Sequence, residues 1–205
     1  MIAIIDYGMG NTFSVFNALD YIGVEAVITN KETEIKNADR IILPGVGAFG
    51  DCIENLKQLG LKDLLMEEVV EKGKPFMGIC LGMQVLADYG TEKGIFEGLG
   101  WIKGNVQRFL VEDQSLKIPH VGWNDINIEK ETPLFKGLIK ERAFYFVHSY
   151  HFEAQNKEEV LATCDYGGNF NAALIKDNIF ATQFHPEKSQ KNGLIVLENF
   201  VKWRV

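Results

Sequence analysis

The chain has 205 residues, 46% of them hydrophobic and 24% charged, with a formal net charge of −7. That length suits one domain, 1–205, with a substantial core and the composition of a soluble globular protein. The acidic balance disfavours a nucleic-acid ligand, and no basic amphipathic stretch points to a membrane surface.

The opening "MIAIIDYGMGN" lacks a basic leader and its apolar run is too short for a secretory signal. Nothing approaches a transmembrane span. The three cysteines, Cys52, Cys80 and Cys164, are odd in number and widely spaced, which favours a reducing compartment over a disulfide framework. No His/Cys cluster has zinc-ligand spacing. A cytoplasmic protein with no metal and no cofactor is expected.

In chain order, "IAII" (2–5) reads as a strand and "SVFNALDYIG" as a helix. "VEAVITN" and "RIILPG" read as strands, and "FGDCIENLKQLGLKDLLMEEVVEKGK" as one or two helices. "PFMGI" is a further strand, followed by a helix over "LGMQVLADYG". The second half is richer in strands: "GNVQRFL", "KIPHVGWNDIN", "RAFYFVHSYHF", "VLATCDY", "NAALIK" and "IFATQFH". Asp177-Asn178 joins the last two as a tight hairpin turn, and "NGLIVLENFVKWR" closes the chain as a helix. Near-continuous apolar strands alternating with helices predict an α/β fold: an open, mostly parallel sheet flanked by helices, with antiparallel strand additions.

In such sheets ligands gather at the carboxyl ends of the strands, and Cys80 falls at one of them. "GICLGMQ" (78–84) places this cysteine between two glycines, after a strand and before a helix. That is the layout of a nucleophile elbow. Small neighbours permit a sharp, strained turn that projects the side chain above the sheet. The following helix offers free N–H groups and the positive end of its dipole, both of which favour the attacking thiolate. The Leu81 N–H is suited to hold an oxyanion. Cys52, in a helical stretch, and Cys164, on a strand, read as structural residues.

A cysteine nucleophile needs a base that also acts as an acid. Of four histidines, His185 in "QFHPEKS" stands out, because residues two apart on an extended segment project to one side. Glu187 would then fix its tautomer and support its charged form. His148 and His151 read as ordinary structural histidines, and His120 stays open. Gly45-x-Gly47-x-x-Gly50 matches a dinucleotide fingerprint, but Pro44 interrupts its entry. The acids about twenty residues on, Glu67 and Glu68, lie in a helical rather than a strand pattern. A cysteine peptidase or esterase would use the same elbow, and a subunit that only stabilises a partner is the non-enzyme alternative.

With "GICLGMQ" and "QFHPEKS" both in view, the chain resembles the class I glutamine amidotransferases, whose fold is flavodoxin-like. The segments "IIDYGMGN", "LPGVGAFGDC", "IPHVGWN" and "YFVHSY" resemble, within that family, the glutaminase subunits of imidazole glycerol phosphate synthase. The resemblance covers nearly the whole chain. It implies a triad of Cys80 as nucleophile, His185 as acid/base and Glu187 as orienter, splitting glutamine to glutamate and ammonia through a thioester. It further implies that Val46 and Gly47 join Leu81 in holding the oxyanion, and that Gln84, Ser149 and Tyr150 help hold glutamine. Asn11, His120, Trp123, Asn124 and Lys188 are expected to face a (β/α)₈-barrel cyclase in a heterodimer that receives the ammonia for histidine biosynthesis. A paralogous subunit feeding a different synthase is the alternative. Many relatives carry Leu-Arg after "GN" where this chain has Thr12-Phe13, a change on the partner side that leaves the chemistry untouched.

Overall fold

The computed structural model describes residues 1–110, 116–139 and 142–204. Its strands are β1 (Ile2–Ile5), β2 (Ala26–Thr29), β3 (Arg40–Gly45), β4 (Phe76–Cys80), β5 (Tyr89–Gly90), β6 (Phe96–Glu97) and β7 (Gly104–Arg108). They continue with β8 (His120–Asp125), β9 (Asn127–Ile128), β10 (Ala143–His148), β11 (Tyr150–Ala154), β12 (Val160–Asp165), β13 (Asn169–Lys176) and β14 (Ile179–Thr182). The helices are α1 (Thr12–Tyr21), α2 (Glu32–Asn37), α3 (Phe49–Gln58), α4 (Leu61–Leu65), α5 (Leu81–Gln84) and α6 (Gln190–Lys202). A π-helical stretch, Met66–Glu71, continues α4.

Eight strands form one sheet in the order β2-β1-β3-β4-β14-β13-β12-β9. The pairs from β2 to β14 are parallel and the rest antiparallel. This is the mostly parallel sheet with antiparallel additions that the apolar runs predict. Alternation along each strand divides the core into two layers. Ala3, Ile5, Ile41, Leu43 and Phe76 face the side covered by α3 and α4. Ile2, Ile4, Ile42, Met77 and Ile79 face α1 and α6. Burial on both faces is why these strands read as continuous hydrophobic runs.

Three expectations are corrected. The helix after Cys80 is four residues long, not ten. The carbonyls that would continue it are taken by a crossing loop: Leu99 N–H donates to Val85 O at 2.7 Å and Trp101 N–H to Leu86 O at 3.0 Å. "RAFYFVHSYHF" is two strands in different sheets, because β10 pairs with β8 whereas β11 pairs with β7. The break falls at Ser149. Finally, Pro186–Lys188 is a 3₁₀ turn, so His185 and Glu187 do not share an extended strand. The Asp177-Asn178 hairpin is present, with Asp177 at φ 49° and Lys176 opposite Ile179.

Candidate active site

Cys80 ends β4 at φ 55°, the left-handed region that a side chain enters only under strain. The flanking glycines serve closeness rather than unusual torsion. A Cβ on Gly78 would lie 2.5 Å from Gly82 O, and one on Gly82 would lie 1.9 Å from Leu43 O. The elbow is therefore pressed onto the neighbouring strand β3, and only hydrogen fits at either position.

Adjacent β14 delivers the histidine, because β4 and β14 are parallel neighbours with Ile79 opposite Thr182. His185 N–H donates to Tyr145 O at 2.9 Å. Ser189 fastens the turn by donating its hydroxyl to His185 O at 2.6 Å and accepting from Tyr145 N–H at 3.0 Å. His185 Nδ1 lies 2.7 Å from Glu187 Oε1, and both side chains are 2% exposed. The expected pair forms, through a 3₁₀ turn rather than an extended segment.

Burial alone would push the His185 imidazole down. The Cys80 sulfur and then the Glu187 carboxylate outweigh it and raise His185 to about 10. The imidazole is thus held in its charged form through neutral pH beside the sulfur. Among the described residues its Nε2 has no partner in hydrogen-bonding geometry, nor has Glu187 Oε2. The other two thiols, Cys52 and Cys164, are buried, and burial pushes each up to about 12.

A pocket of about 300 Å³ opens over the sulfur, lined by Cys80, Leu81, Gln84, Val46, Gly47, Ser149 and Tyr150. The structure so gathers all six residues expected around the oxyanion and glutamine. Sequence reasoning missed Glu92, Pro119, Val147 and His148 on the same wall. A larger depression of about 680 Å³ between Ile128 and Arg142 holds neither cysteine nor histidine.

A chain of buried polar contacts leads away from the sulfur. Gln183 Nε2 donates to Cys80 Sγ at 3.6 Å, and Gln84 Nε2 donates to Gln183 Oε1 at 3.0 Å and to Tyr150 O at 2.8 Å. His148 Nδ1 lies 2.9 Å from the same Tyr150 O, and its Nε2 lies 3.3 Å from His120 Nδ1. Sequence reasoning also missed Gln183, and its only signal was its place two residues before His185.

Of the residues expected to face a partner, His120 is corrected. It is 2% exposed and stacks on Tyr166 and Phe146, with ring centroids 3.9 and 5.0 Å away. On β8 it lies three residues from Trp123, so the two point to opposite faces. Burial lowers His120 to about 4 and His148 to about 3, so both are neutral near pH 7. Trp123 is 48% exposed and meets Tyr145 edge-on at 6.1 Å, while Lys188 Nζ sits 5.9 Å from the same ring. Asn124 donates to Asp165 O at 2.9 Å. Asn11 caps α1, its side chain accepting from Ser14 N–H at 3.3 Å.

The dinucleotide reading fails on its acid. Glu68 belongs to the π-helical stretch at the amino end of the sheet, where its carboxylate is held by Lys72 and Lys74.

Residues 3–203 match the profile of the family described as "Glutamine amidotransferase class-I". The chain is 49% identical over 202 residues to "Imidazole glycerol phosphate synthase subunit HisH 1" of Campylobacter jejuni (strain RM1221), covering 98% of this chain and 100% of that one. It is 44% identical to "Imidazole glycerol phosphate synthase subunit HisH" of Leptospira borgpetersenii, with 98% of each chain covered. Among solved structures, a glutamine amidotransferase crystal structure superposes with a TM-score of 0.73 at 21% identity, covering 98% of each chain. The structure of PurLQS from Thermotoga maritima gives 0.73 at 19% identity, covering 98% of this chain and 97% of that one. These two likenesses speak to the fold.

Proposed function

The chain belongs to the class I glutamine amidotransferases, and from that premise we propose that it is the glutaminase subunit of an imidazole glycerol phosphate synthase, acting in histidine biosynthesis in the cytoplasm. Glutamine enters the pocket over Cys80. The thiolate attacks the side-chain amide carbon, and the oxygen that becomes negative is held by backbone N–H groups of Leu81 and of the Val46–Gly47 loop. The His185 imidazolium, braced by Glu187, gives its proton to the departing nitrogen, which leaves as ammonia. His185 then takes a proton from water, the resulting hydroxide opens the thioester, and glutamate departs. Gln84 and the backbone at Ser149 and Tyr150 hold the substrate.

One observation carries this reading: a strained cysteine ends β4 beside β14, and the turn after β14 sets, under the influence of that sulfur, a histidine whose Nδ1 is 2.7 Å from a buried carboxylate. Free ammonia would protonate in bulk water and stop being a nucleophile. A cyclase subunit, of (β/α)₈-barrel form in this family, is the physical remedy when docked over the site as a heterodimer. Trp123, Tyr145 and Lys188 supply an aromatic and cationic patch suited to such a contact. The test is Cys80→Ala in the complex. Glutamine-dependent synthesis is lost and ammonia-dependent synthesis is retained; unchanged glutamine-dependent synthesis refutes the proposal.

A further inference from the structure

We propose that Gln183 is a catalytic residue of this site, its side-chain amide donating an N–H bond to the Cys80 sulfur and favouring the sulfur's anionic form. The proposal rests on the reading of Cys80 as the nucleophile. Gln183 has no exposed surface. A primary amide buried so deeply must find partners for its polar atoms, and one of those partners is the reacting atom itself, at 3.6 Å.

The orientation of that amide follows from chemistry alone. The Tyr150 carbonyl can only accept, so the Gln84 group 2.8 Å from it must be the NH₂. That NH₂ also lies 3.0 Å from Gln183, so it faces the Gln183 oxygen. The Gln183 NH₂ is therefore the end turned to sulfur. The same carbonyl requires His148 to carry its proton on Nδ1, 2.9 Å away, leaving Nε2 to accept from His120. One main-chain oxygen thus sets the direction of the whole chain of contacts, and flipping Gln183 would set its NH₂ against the Gln84 NH₂ and its oxygen against sulfur.

A donor aimed at sulfur stabilises the thiolate over the thiol. A carboxamide suits the task because it neither gives up nor takes a proton near neutral pH, and so does not compete with His185. The titratable groups around the sulfur are otherwise His185 with Glu187 after β14, Tyr7 after β1, His148 on β10 and Glu92 on the pocket wall. A purely structural Gln183 would serve only to satisfy Gln84.

The two roles separate in the full-length chain by following iodoacetamide alkylation of Cys80 against pH, read by mass spectrometry of its peptide. In Gln183→Met, which keeps the volume and removes the donor, the curve moves up by about one pH unit, so alkylation at the wild-type midpoint falls to roughly a fifth of the wild-type rate. A folded Gln183→Met whose curve overlays wild type overturns the inference. The wild-type chain gives an independent reading that does not depend on the variant folding. With ¹⁵N-glutamine labelling, one side-chain NH₂ pair follows the same pH curve as Cys80 alkylation, and the absence of any such pair overturns it. Retained glutamine hydrolysis in Cys80→Ala refutes the underlying reading instead, so the two failures are distinct.

Discussion

The Glu68 cluster at the amino end of the parallel sheet and the Cys80 site at its carboxyl end treat buried polar groups in opposite ways. At the amino end, Glu68 pairs through Oε1 with Lys72 at 2.6 Å and through Oε2 with Lys74 at 2.7 Å. Lys74 also donates to Ile35 O and Lys36 O, and Asn178 Nδ2 donates to Val69 O and Lys74 O at 2.7 Å each. Burial would raise the Glu68 carboxyl, but the two lysines hold it below the usual range. At the carboxyl end, Tyr7 Oη, His185 Nε2 and Glu187 Oε2 are buried without a hydrogen-bond partner among the described residues, and Cys80 is strained. The Glu68 cluster completes its own hydrogen bonding, whereas the polar atoms beside the strained cysteine are left unpaired.

The sharpest way to break that contrast is Cys80→Gly. Glycine adopts φ 55° without strain, so stability rises by about 1 kcal/mol in urea unfolding while glutamine hydrolysis falls to background. A loss of stability there would mean that the elbow stores no strain. Lys74→Met is the converse. It leaves the almost inaccessible Glu68 carboxylate short of a partner. Because two lysine side chains rather than a deep layer of protein cover that carboxylate, the cost is about 2 kcal/mol, below the range for a deeply buried pair. Glutamine turnover per folded molecule should stay within about twofold, since the change lies at the opposite end of the sheet.

Acid sharpens the comparison with a smaller effect. His120 and His148 have depressed native values, about 4 and about 3, against 6.5 when exposed. Their contribution to stability is present above about 6.5 and drains away as pH falls below it, with up to two protons taken up on unfolding. Glu68, also lowered, loses its contribution only as pH falls below the ordinary carboxyl range. Amide hydrogen exchange on lowering the pH should therefore quicken first around β8 and β10, and only later around Phe76 and Asn178.

How far the sequence reveals this depends on whether each interaction is local. The parallel strands are legible because a strand covered on both faces must be apolar throughout, as "IAII" and "RIIL" are. The elbow is legible because its glycines are adjacent in the chain. The His185–Glu187 pair was found through a two-residue spacing, although the backbone between them turns rather than extends. The Gln183–Cys80 contact was not legible, since it joins residues 103 apart and depends on β14 lying beside β4. The burial of His120 was within reach: alternation along β8 sets it opposite Trp123, but membership in one motif hid the difference in face. The short α5 was not, because what stops it is a loop that arrives later in the chain.

Gly82 lies so close to Leu43 that β3 and β4 cannot slide without carrying the elbow with them. Cys80 therefore inherits the stiffness of the sheet, and no modest push at the surface will re-aim it. Adjustment is left to the opposite wall, where Val46 is 40% exposed beside Gly47. A docking protein that tunes this enzyme has the rim to work on, while the sulfur stays put as the fixed reference against which the rim moves.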